Sequence, residues 1–306
     1  MPTLGCLGGR NTFIMEKKPG KQNFLRYNNL NHVFKSDKLK IVKGTGVKYE
    51  KGFNGNNEDN NLVISKYTKL NHLEKSVRNS SFYFNNALEW LDPFELLFYR
   101  PNVTIDGQEN VSIFASCFAC NDIDNEEGFW QIWSKGEKEP IVRVTYNVNK
   151  LLSTLNDHAD NLYNYYLAGM EYKSRESILK EKCENQQFTS IDDYLNKLCL
   201  KRNAYKYENE LRLFVKTESN INNIDSHIVI NNISYNNGVI TEITLPPAEP
   251  FGNNNPAKDK MKEYQECLNS LTKQRIESLI KDGLLNCKIN QSALYCINIK
   301  KRTYTF

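Results

Sequence analysis

Three charged residues alternate along one short run of the chain, at Glu208, Glu210 and Arg212 within the segment AYKYENELRLFV (204–215). The apolar residues of that segment recur at alternate positions, a pattern typical of a strand: Tyr205, Tyr207, Leu211, Leu213 and Val215. The pattern predicts that the charged residues share the opposite face, where two carboxylates two residues apart lie about 7 Å from each other. Such a face is either solvated or the floor of a functional site.

A purely structural interpretation of these charges also fits the sequence. Glu210 and Arg212 are neighbours on the same predicted face, and a solvated or cross-strand ion pair there stabilises a fold by under about 1 kcal/mol. The catalytic and the structural interpretation of the glutamate pair therefore both stand at this point.

Composition limits the class of protein. The chain has 306 residues, with 40 basic and 36 acidic side chains and a net charge of +4, which is only a weak preference for anionic partners. An apolar run near twenty residues is absent, as is a secretory signal, so we expect a cytoplasmic protein with no membrane span. Among the 8 cysteines and 4 histidines, Cys117 and Cys120 form one C-x-x-C, but no second such pair or spaced pair of histidines completes a zinc site.

The order of apolar patterns predicts an α+β protein with a mixed or antiparallel sheet core flanked by helices. Residues 1–60 are rich in Asn, Lys and Gly and predict a loosely ordered lead with at most one strand, in KLKIVKGTGVKYE. Residues 61–306 predict a single domain that ends in a long helix, closed by Gly283, and a last strand in SALYCINIKKRTYTF.

Several other functional classes are weaker or absent in the sequence. Gly-rich nucleotide-binding motifs and the Gly-x-Ser-x-Gly elbow are missing. The acids of DIDNEE are more typical of a solvated helix start than of a magnesium nuclease site. Trp130 and Trp133 have helical spacing that favours core packing over a base-stacking surface. The terminal IKKRTYTF fits nucleic-acid binding loosely.

Five segments, taken in order, resemble the bacterial domain of unknown function numbered twenty-nine seventy-one: SKYTKL, SFYFNNALEWLDPFE, FASCFACNDIDNEEGFWQIW, YKYENELRLFV and ITEITLPP. The resemblance covers roughly residues 60–250. The chain departs from it at Leu91, where Asn is usual before Asp92, and at Cys117, where Phe is usual after Ser116.

Such a chain is in turn similar in architecture to the ADP-ribosyltransferase superfamily. That likeness implies that Glu210 bonds the ribose hydroxyl and stabilises the cationic state, and that Glu208 orients an acceptor. It places Lys66 or Tyr67 at the pyrophosphate and ribose, with Ser116 bracing the site. It also implies that Tyr83 stacks on nicotinamide, and Arg212 belongs to the same expected NAD-binding set.

The sequence therefore predicts an NAD-dependent ADP-ribosyltransferase-like enzyme that modifies a macromolecule, and the resemblance implies a setting such as phage defence or a toxin system. NAD is the expected substrate, with no metal ion. The alternative is a catalytically silent module of the same fold that binds a nucleotide or nucleic acid. The acceptor and the oligomeric state do not follow from the sequence.

Overall fold

The computed structural model describes these residues of the chain: 23–25, 39–42, 47–49, 63–90, 92–99, 103–105, 108–119, 129–130, 139–157, 163–184, 188, 190–208, 210–217, 227–247 and 256–292. They form an α+β fold in which helices flank a mostly antiparallel sheet, as the sequence predicts.

The strands are β1 (Asn23–Leu25), β2 (Leu39–Val42), β3 (Val47–Tyr49), β4 (Val63–Lys69), β5 (Phe82–Asn86), β6 (Val103–Ile105), β7 (Gln108–Ala119), β8 (Ile141–Asn147), β9 (Tyr163–Gly169), β10 (Glu171–Lys173), β11 (Leu200–Arg202), β12 (Glu210–Thr217), β13 (His227–Ile230), β14 (Ile240–Leu245) and β15 (Lys288–Gln291). The α-helices are α1 (Leu70–Arg78), α2 (Val148–Asp157), α3 (Arg175–Glu184), α4 (Ile191–Leu198) and α5 (Pro256–Lys281). Short 3₁₀ helices cover Ala87–Glu89, Glu95–Leu97 and Asn203–Glu208.

The main sheet has the strand order β15-β14-β8-β4-β7-β12-β9-β2. β5 and β6 each pair with β7 outside this order, and β13 pairs with β5. β12 is central, because it pairs antiparallel with β7 on one side and with β9 on the other. Two small sheets lie apart from this order, formed by β1 with β3 and by β10 with β11.

The sheet forks between β4 and β7. The two strands meet only at the pair Ser65 and Ala119, after which β4 continues along β8 alone. Further along β7, the place beside Ala115 and Phe114 is taken by β5. Within the described part of the chain, residues 116–118 of β7 thus pair with β12 but with no strand on the β4 side.

The two faces of β12 belong to different cores. Leu211, Leu213 and Val215 lie in a large apolar cluster that includes buried residues of α1, α2 and α5. Phe214 points the other way, into a cluster with the apolar residues of α4 and with Ile178 of α3. This alternation confirms the predicted strand pattern from residue 211 onward.

The predicted strand over 204–215 is wrong in its first half. Residues Asn203–Glu208 form a 3₁₀ helix, and β12 begins only at Glu210. The segment before it, TSIDDYLNKLCLKR (189–202), has the Ser or Thr cap and acidic first turn that predict a helix through residue 202. The structure differs, since α4 ends at Leu198 and β11 follows directly. β11 pairs parallel with β10, and this turn out of the helix places Lys201 on a strand.

The two ends of the chain are partly described. The segment predicted to hold one strand in the lead contains β2 and β3, and β2 pairs parallel with β9 at an edge of the main sheet. α5 ends before Gly283, whose φ of +72° is the left-handed conformation that glycine adopts at a helix end. The predicted last strand, beyond Ser292, and Trp133 lie outside the described residues.

Candidate functional site

A buried cluster of charges surrounds the start of β12. Arg212 is 1% exposed and Glu210 6% exposed, so the solvated alternative for this face is wrong. Arg212 Nε donates to Glu210 Oε1 at 2.6 Å, and Arg212 Nη2 donates to Glu95 Oε2 at 2.6 Å. Arg212 Nη1 donates to the carbonyl oxygen of Leu198 at 3.0 Å, and the Trp90 ring centroid lies 3.9 Å from the guanidinium carbon. The guanidinium is therefore enclosed on its edges and on its flat face.

Lys201 joins the two predicted carboxylates. Its ammonium nitrogen donates to Glu208 Oε2 at 2.6 Å and to Glu210 Oε2 at 2.8 Å, and it lies 3.0 Å from Glu95 Oε1. Glu208 and Glu210 do not share a strand face, since Glu208 ends the 3₁₀ helix. They meet because both reach the same lysine.

The charges in this cluster do not balance. Three carboxylates face two cations, Lys201 and Arg212, so one formal negative charge remains. Among the three carboxylates Glu208 is the most accessible, with 24% of its side chain exposed against 7% for Glu210 and 4% for Glu95. The remaining charge is consequently most accessible to solvent at Glu208.

The pKa directions agree with this geometry. Burial opposes ionisation of Glu210, but the charges of Arg212 and Lys201 outweigh it and lower its pKa to about 2. The pKa of Glu208 is raised, chiefly by desolvation, which Lys201 only partly offsets. Lys201 also suffers desolvation, yet the surrounding carboxylates raise its pKa. Glu210 is thus held ionised, and Glu208 is the carboxylate whose proton affinity is increased.

A second polar group lies at the fork of the sheet. Lys66 Nζ donates to Ser116 Oγ at 2.8 Å across the gap between β4 and β7, and it lies 5.7 Å from the centre of the Phe118 ring. Desolvation lowers the pKa of Lys66. Among the described residues no carboxylate pairs with this ammonium. Within the described part of the chain, the fork therefore holds a cation whose hydrogen-bond partner is a neutral hydroxyl.

Cys117 lies between the two polar groups. It pairs with Arg212 across β7 and β12, and its thiol hydrogen-bonds to Glu210. Burial and the charge of Glu210 raise the pKa of Cys117 to about 12, and the charge of Lys66 opposes this. Lys66 and Cys117 are both partly exposed, whereas Ser116 is 2% exposed. Solvent therefore reaches the fork at these two side chains.

An aromatic wall lies beside the fork. Tyr67 stacks on Phe129 with ring centroids 5.1 Å apart and meets the edge of Trp130 at 4.9 Å. Phe129 also lies 6.4 Å from Tyr207, on the same 3₁₀ helix as Glu208. The wall therefore extends from β4 to the carboxylate cluster, and Trp130 packs in the core as its spacing predicts.

Tyr83 lies elsewhere. It is on β5, where its ring contacts that of His227 with centroids 5.8 Å apart. Lys75 Nζ lies 5.7 Å from the Tyr83 ring centre. Of the seven residues expected from the sequence, Glu208, Glu210 and Arg212 meet in the charge cluster, whereas Lys66 and Ser116 meet at the fork on the other face of the sheet. Tyr67 lies in the aromatic wall, and Tyr83 lies apart from these groups.

Three residues of the site were missed. Lys201 lies in the segment predicted as helix, and Glu95 follows the Asp92-Pro93 turn without any spacing to Glu210. Cys117 was considered as half of a C-x-x-C pair and as a departure from the resemblance, but not as part of this site. Asp92 acts as a turn cap, accepting from the backbone N–H of Phe94 at 3.1 Å, and it also accepts from Arg202 Nε at 3.0 Å. The Asp92-Pro93 pair in the sequence is typical of a capping aspartate. No pattern in the sequence indicates that Asp92 also pairs with Arg202.

Comparison with known protein families and with curated proteins gives no match for this chain. In the described ranges no three His, Cys, Asp or Glu side chains are arranged to hold a metal ion. A helix long and apolar enough to cross a membrane is likewise absent from the described residues.

Proposed function

We propose that the chain is an ADP-ribosyltransferase-like enzyme that uses NAD to modify a macromolecule. The observation that supports this proposal is the fork between β4 and β7, which has Lys66 and Ser116 across it and the Glu208–Lys201–Glu210 cluster at the start of β12, the strand that pairs with β7. A cation, a carboxylate and an aromatic wall are the groups that a dinucleotide needs if its glycosidic bond is to be broken.

The reaction makes and breaks one bond at the same carbon. The bond between C1′ of the ribose and the ring nitrogen of nicotinamide breaks, and nicotinamide leaves with both bonding electrons. C1′ becomes cationic and then bonds to a nucleophilic oxygen or nitrogen of the acceptor, which releases its proton. A nearby carboxylate stabilises the cationic carbon and can accept that proton.

Glu208 is the carboxylate that we assign to this task. Both oxygens of Glu210 are already bonded by Arg212 and Lys201, whereas Glu208 is more exposed and carries the charge that the two cations leave over. A raised pKa suits a proton acceptor, since a more basic carboxylate takes a proton more readily. Glu210 then acts as a positioning residue that fixes Lys201, and through it Glu208.

Lys66 is the residue that we assign to an anionic part of the ligand. Its ammonium lacks a carboxylate partner among the described residues, and a pyrophosphate oxygen would supply the missing charge. Tyr67, Phe129 and Tyr207 provide apolar surface for a flat ring on the other face of β4, towards Glu208.

The test is release of nicotinamide from NAD by the purified protein, with and without cell lysate. Glu208→Gln keeps the shape and one hydrogen bond to Lys201, so we expect release to fall by about 100-fold or more with little change in melting temperature. Glu277→Gln, on the exposed surface of α5, is the matched control and should retain full activity. Equal activity of wild type and Glu208→Gln would remove Glu208 from the mechanism.

A silent nucleotide-binding module of the same fold is the second candidate. It is favoured by the complete pairing of Glu210, which resembles a structural network more than a catalytic group. In that case NAD or another nucleotide raises the melting temperature of the protein while nicotinamide release stays at the background rate.

A further inference from the structure

A stack of cations and rings lies next to Glu208. The guanidinium of Arg202 lies 4.8 Å from the ring centre of Phe94 and 5.1 Å from that of Tyr205. Arg175, at the start of α3, lies 5.5 Å from the same Phe94 ring. We call Phe94, Arg175, Arg202 and Tyr205 the Phe94 stack. The Phe94 ring thus contacts two guanidinium groups, and the guanidinium of Arg202 contacts two rings.

The Phe94 stack is accessible. Arg175 and the neighbouring Lys206 are exposed, and Phe94, Arg202 and Tyr205 are partly exposed. Asp92 and Tyr205 accept from Arg202, which fixes the guanidinium. Among the described residues Arg175 has no carboxylate within salt-bridge distance, and its acidic sequence neighbour is Glu176. The surface therefore presents Arg175 and Lys206 as exposed cations beside Arg202, which is itself paired with Asp92.

Stacked arginine and aromatic side chains recognise a particular kind of ligand. A guanidinium held flat against a ring keeps N–H groups on its edge for phosphate oxygens. Partly exposed rings accept unpaired bases, and alternating cations bind the backbone that connects them. A protein partner would need a larger apolar patch or complementary acids, whereas single-stranded nucleic acid supplies both flat rings and phosphates.

We propose that the Phe94 stack binds single-stranded nucleic acid and presents it to Glu208 as the macromolecule to be modified. Tyr205 and Glu208 lie on the same 3₁₀ helix, and Lys201, which holds Glu208, lies 5.1 Å from the Tyr205 ring centre. The assignment of nucleic acid as acceptor rests on the proposed function, but the binding surface does not. A nucleophilic oxygen or nitrogen of the nucleic acid bonds to C1′ of the ribose as nicotinamide leaves, and its proton passes to Glu208.

Binding is measured first, without NAD. Fluorescently labelled twelve-residue oligothymidylate and oligouridylate are titrated with the full chain, with anisotropy read at several salt concentrations. We expect micromolar affinity at low salt that falls steeply as salt rises. Arg175→Glu should weaken binding by about ten-fold or more and make the salt dependence shallower. Phe94→Leu, which removes the shared ring but keeps an apolar side chain, should also weaken it.

The matched control is Lys273→Glu. Lys273 is exposed on α5, where buried side chains join the core on the other side of β12, so the same charge reversal should leave binding unchanged. Absence of binding at low salt, or equal losses in Arg175→Glu and Lys273→Glu, would overturn the proposed surface.

Acceptor identity is measured second, with labelled NAD and both oligonucleotide and lysate protein present. Label on the oligonucleotide that Arg175→Glu reduces supports the proposal. Label on protein alone rejects nucleic acid as the acceptor while leaving the enzyme class intact. Nicotinamide release alone reports on the enzyme class, so failure of the proposed function and failure of this inference are distinguishable.

Discussion

Lys66 and Lys201 lie on strands of two different sheets and in opposite electrostatic settings. Lys201, on β11, faces three carboxylates within 3.0 Å, and its pKa is raised despite desolvation. Lys66, on β4, donates to one serine hydroxyl, and desolvation lowers its pKa. Desolvation acts on the pKa of both lysines, but among the described residues only Lys201 has its charge matched by carboxylates.

The difference separates structural charge from charge that a ligand can use. A buried ion pair with all its hydrogen bonds made is costly to break from either side, so residues such as Glu210 and Arg212 are constrained by the fold. A desolvated ammonium without a counter-ion is a cost to the fold, and a ligand anion would relieve it. The fork is therefore the better place to look for a ligand contact than the network beneath it.

The largest expected effect comes from Lys201→Met, which keeps the length of the side chain and removes its charge. Three buried or half-buried carboxylates would then share one cation, so we expect a loss of about 3–5 kcal/mol in the free energy of unfolding. Urea denaturation followed by circular dichroism measures this. A loss below about 1 kcal/mol would mean that the cluster behaves as surface charge. Lys201 would then not differ from Lys66 in its contribution to stability.

The next effect is acid sensitivity at Glu210. Because its folded-state pKa is lowered from 4.5 to about 2, the ionised carboxylate contributes stability that is fully present above pH 4.5 and is lost as the pH falls toward 2. At 1.36 kcal/mol per pH unit this amounts to about 3 kcal/mol. The control is Glu210→Gln, which is less stable at pH 7 and lacks this contribution. We expect the free energies of unfolding of the two proteins to converge between pH 5 and pH 2; parallel curves would contradict the assignment.

A smaller effect, of opposite sign, is expected at the fork. The double variant Lys66→Met with Ser116→Ala removes the desolvated ammonium together with its hydroxyl partner, so no buried polar group is left unpaired. We expect the melting temperature to stay the same or rise by a few degrees at pH 7, while any stabilisation by NAD is lost. Since the folded-state pKa of Lys66 is lowered, the gain from the double variant should shrink as the pH rises toward 10.5. A clear loss of stability would mean that Lys66 is structural, like Lys201.

The sequence predicted the strand core better than the polar contacts. Period-two alternation identified Leu211, Leu213 and Val215 correctly, because these residues share one apolar face while Glu210 and Arg212 alternate with them on the other. The same alternation was misleading before Glu210, because Tyr205 and Tyr207 lie in a 3₁₀ helix and not in a strand. Glu208 and Glu210 do lie close together, but they meet through Lys201 and not on a shared strand face.

The rest of the site depends on contacts that no local pattern encodes. Glu95 and Arg212 are 117 residues apart in the chain, and Lys66 and Ser116 are 50 apart. The helical spacing that continues past Leu198 led to a helix being predicted at Lys201. β9 was not predicted, although it is the neighbour of β12. Only the pairing of β12 with β7 and β9, and the return of the chain through β11, brings these side chains to one place.

The smallest effect concerns Cys117, which lies between the two lysine environments. Its pKa of about 12 keeps it protonated, so iodoacetamide at pH 8 should modify the exposed Cys267 at least about 100-fold faster, as read by peptide mass spectrometry. The charge of Lys66 lowers the pKa of Cys117 and that of Glu210 raises it. Lys66→Met should therefore slow the labelling of Cys117 further, and Glu210→Gln should speed it under conditions where both variants remain folded. If neither variant changes the rate, the thiol does not sense the two groups, and the fork and the charge cluster would have to be treated as separate sites.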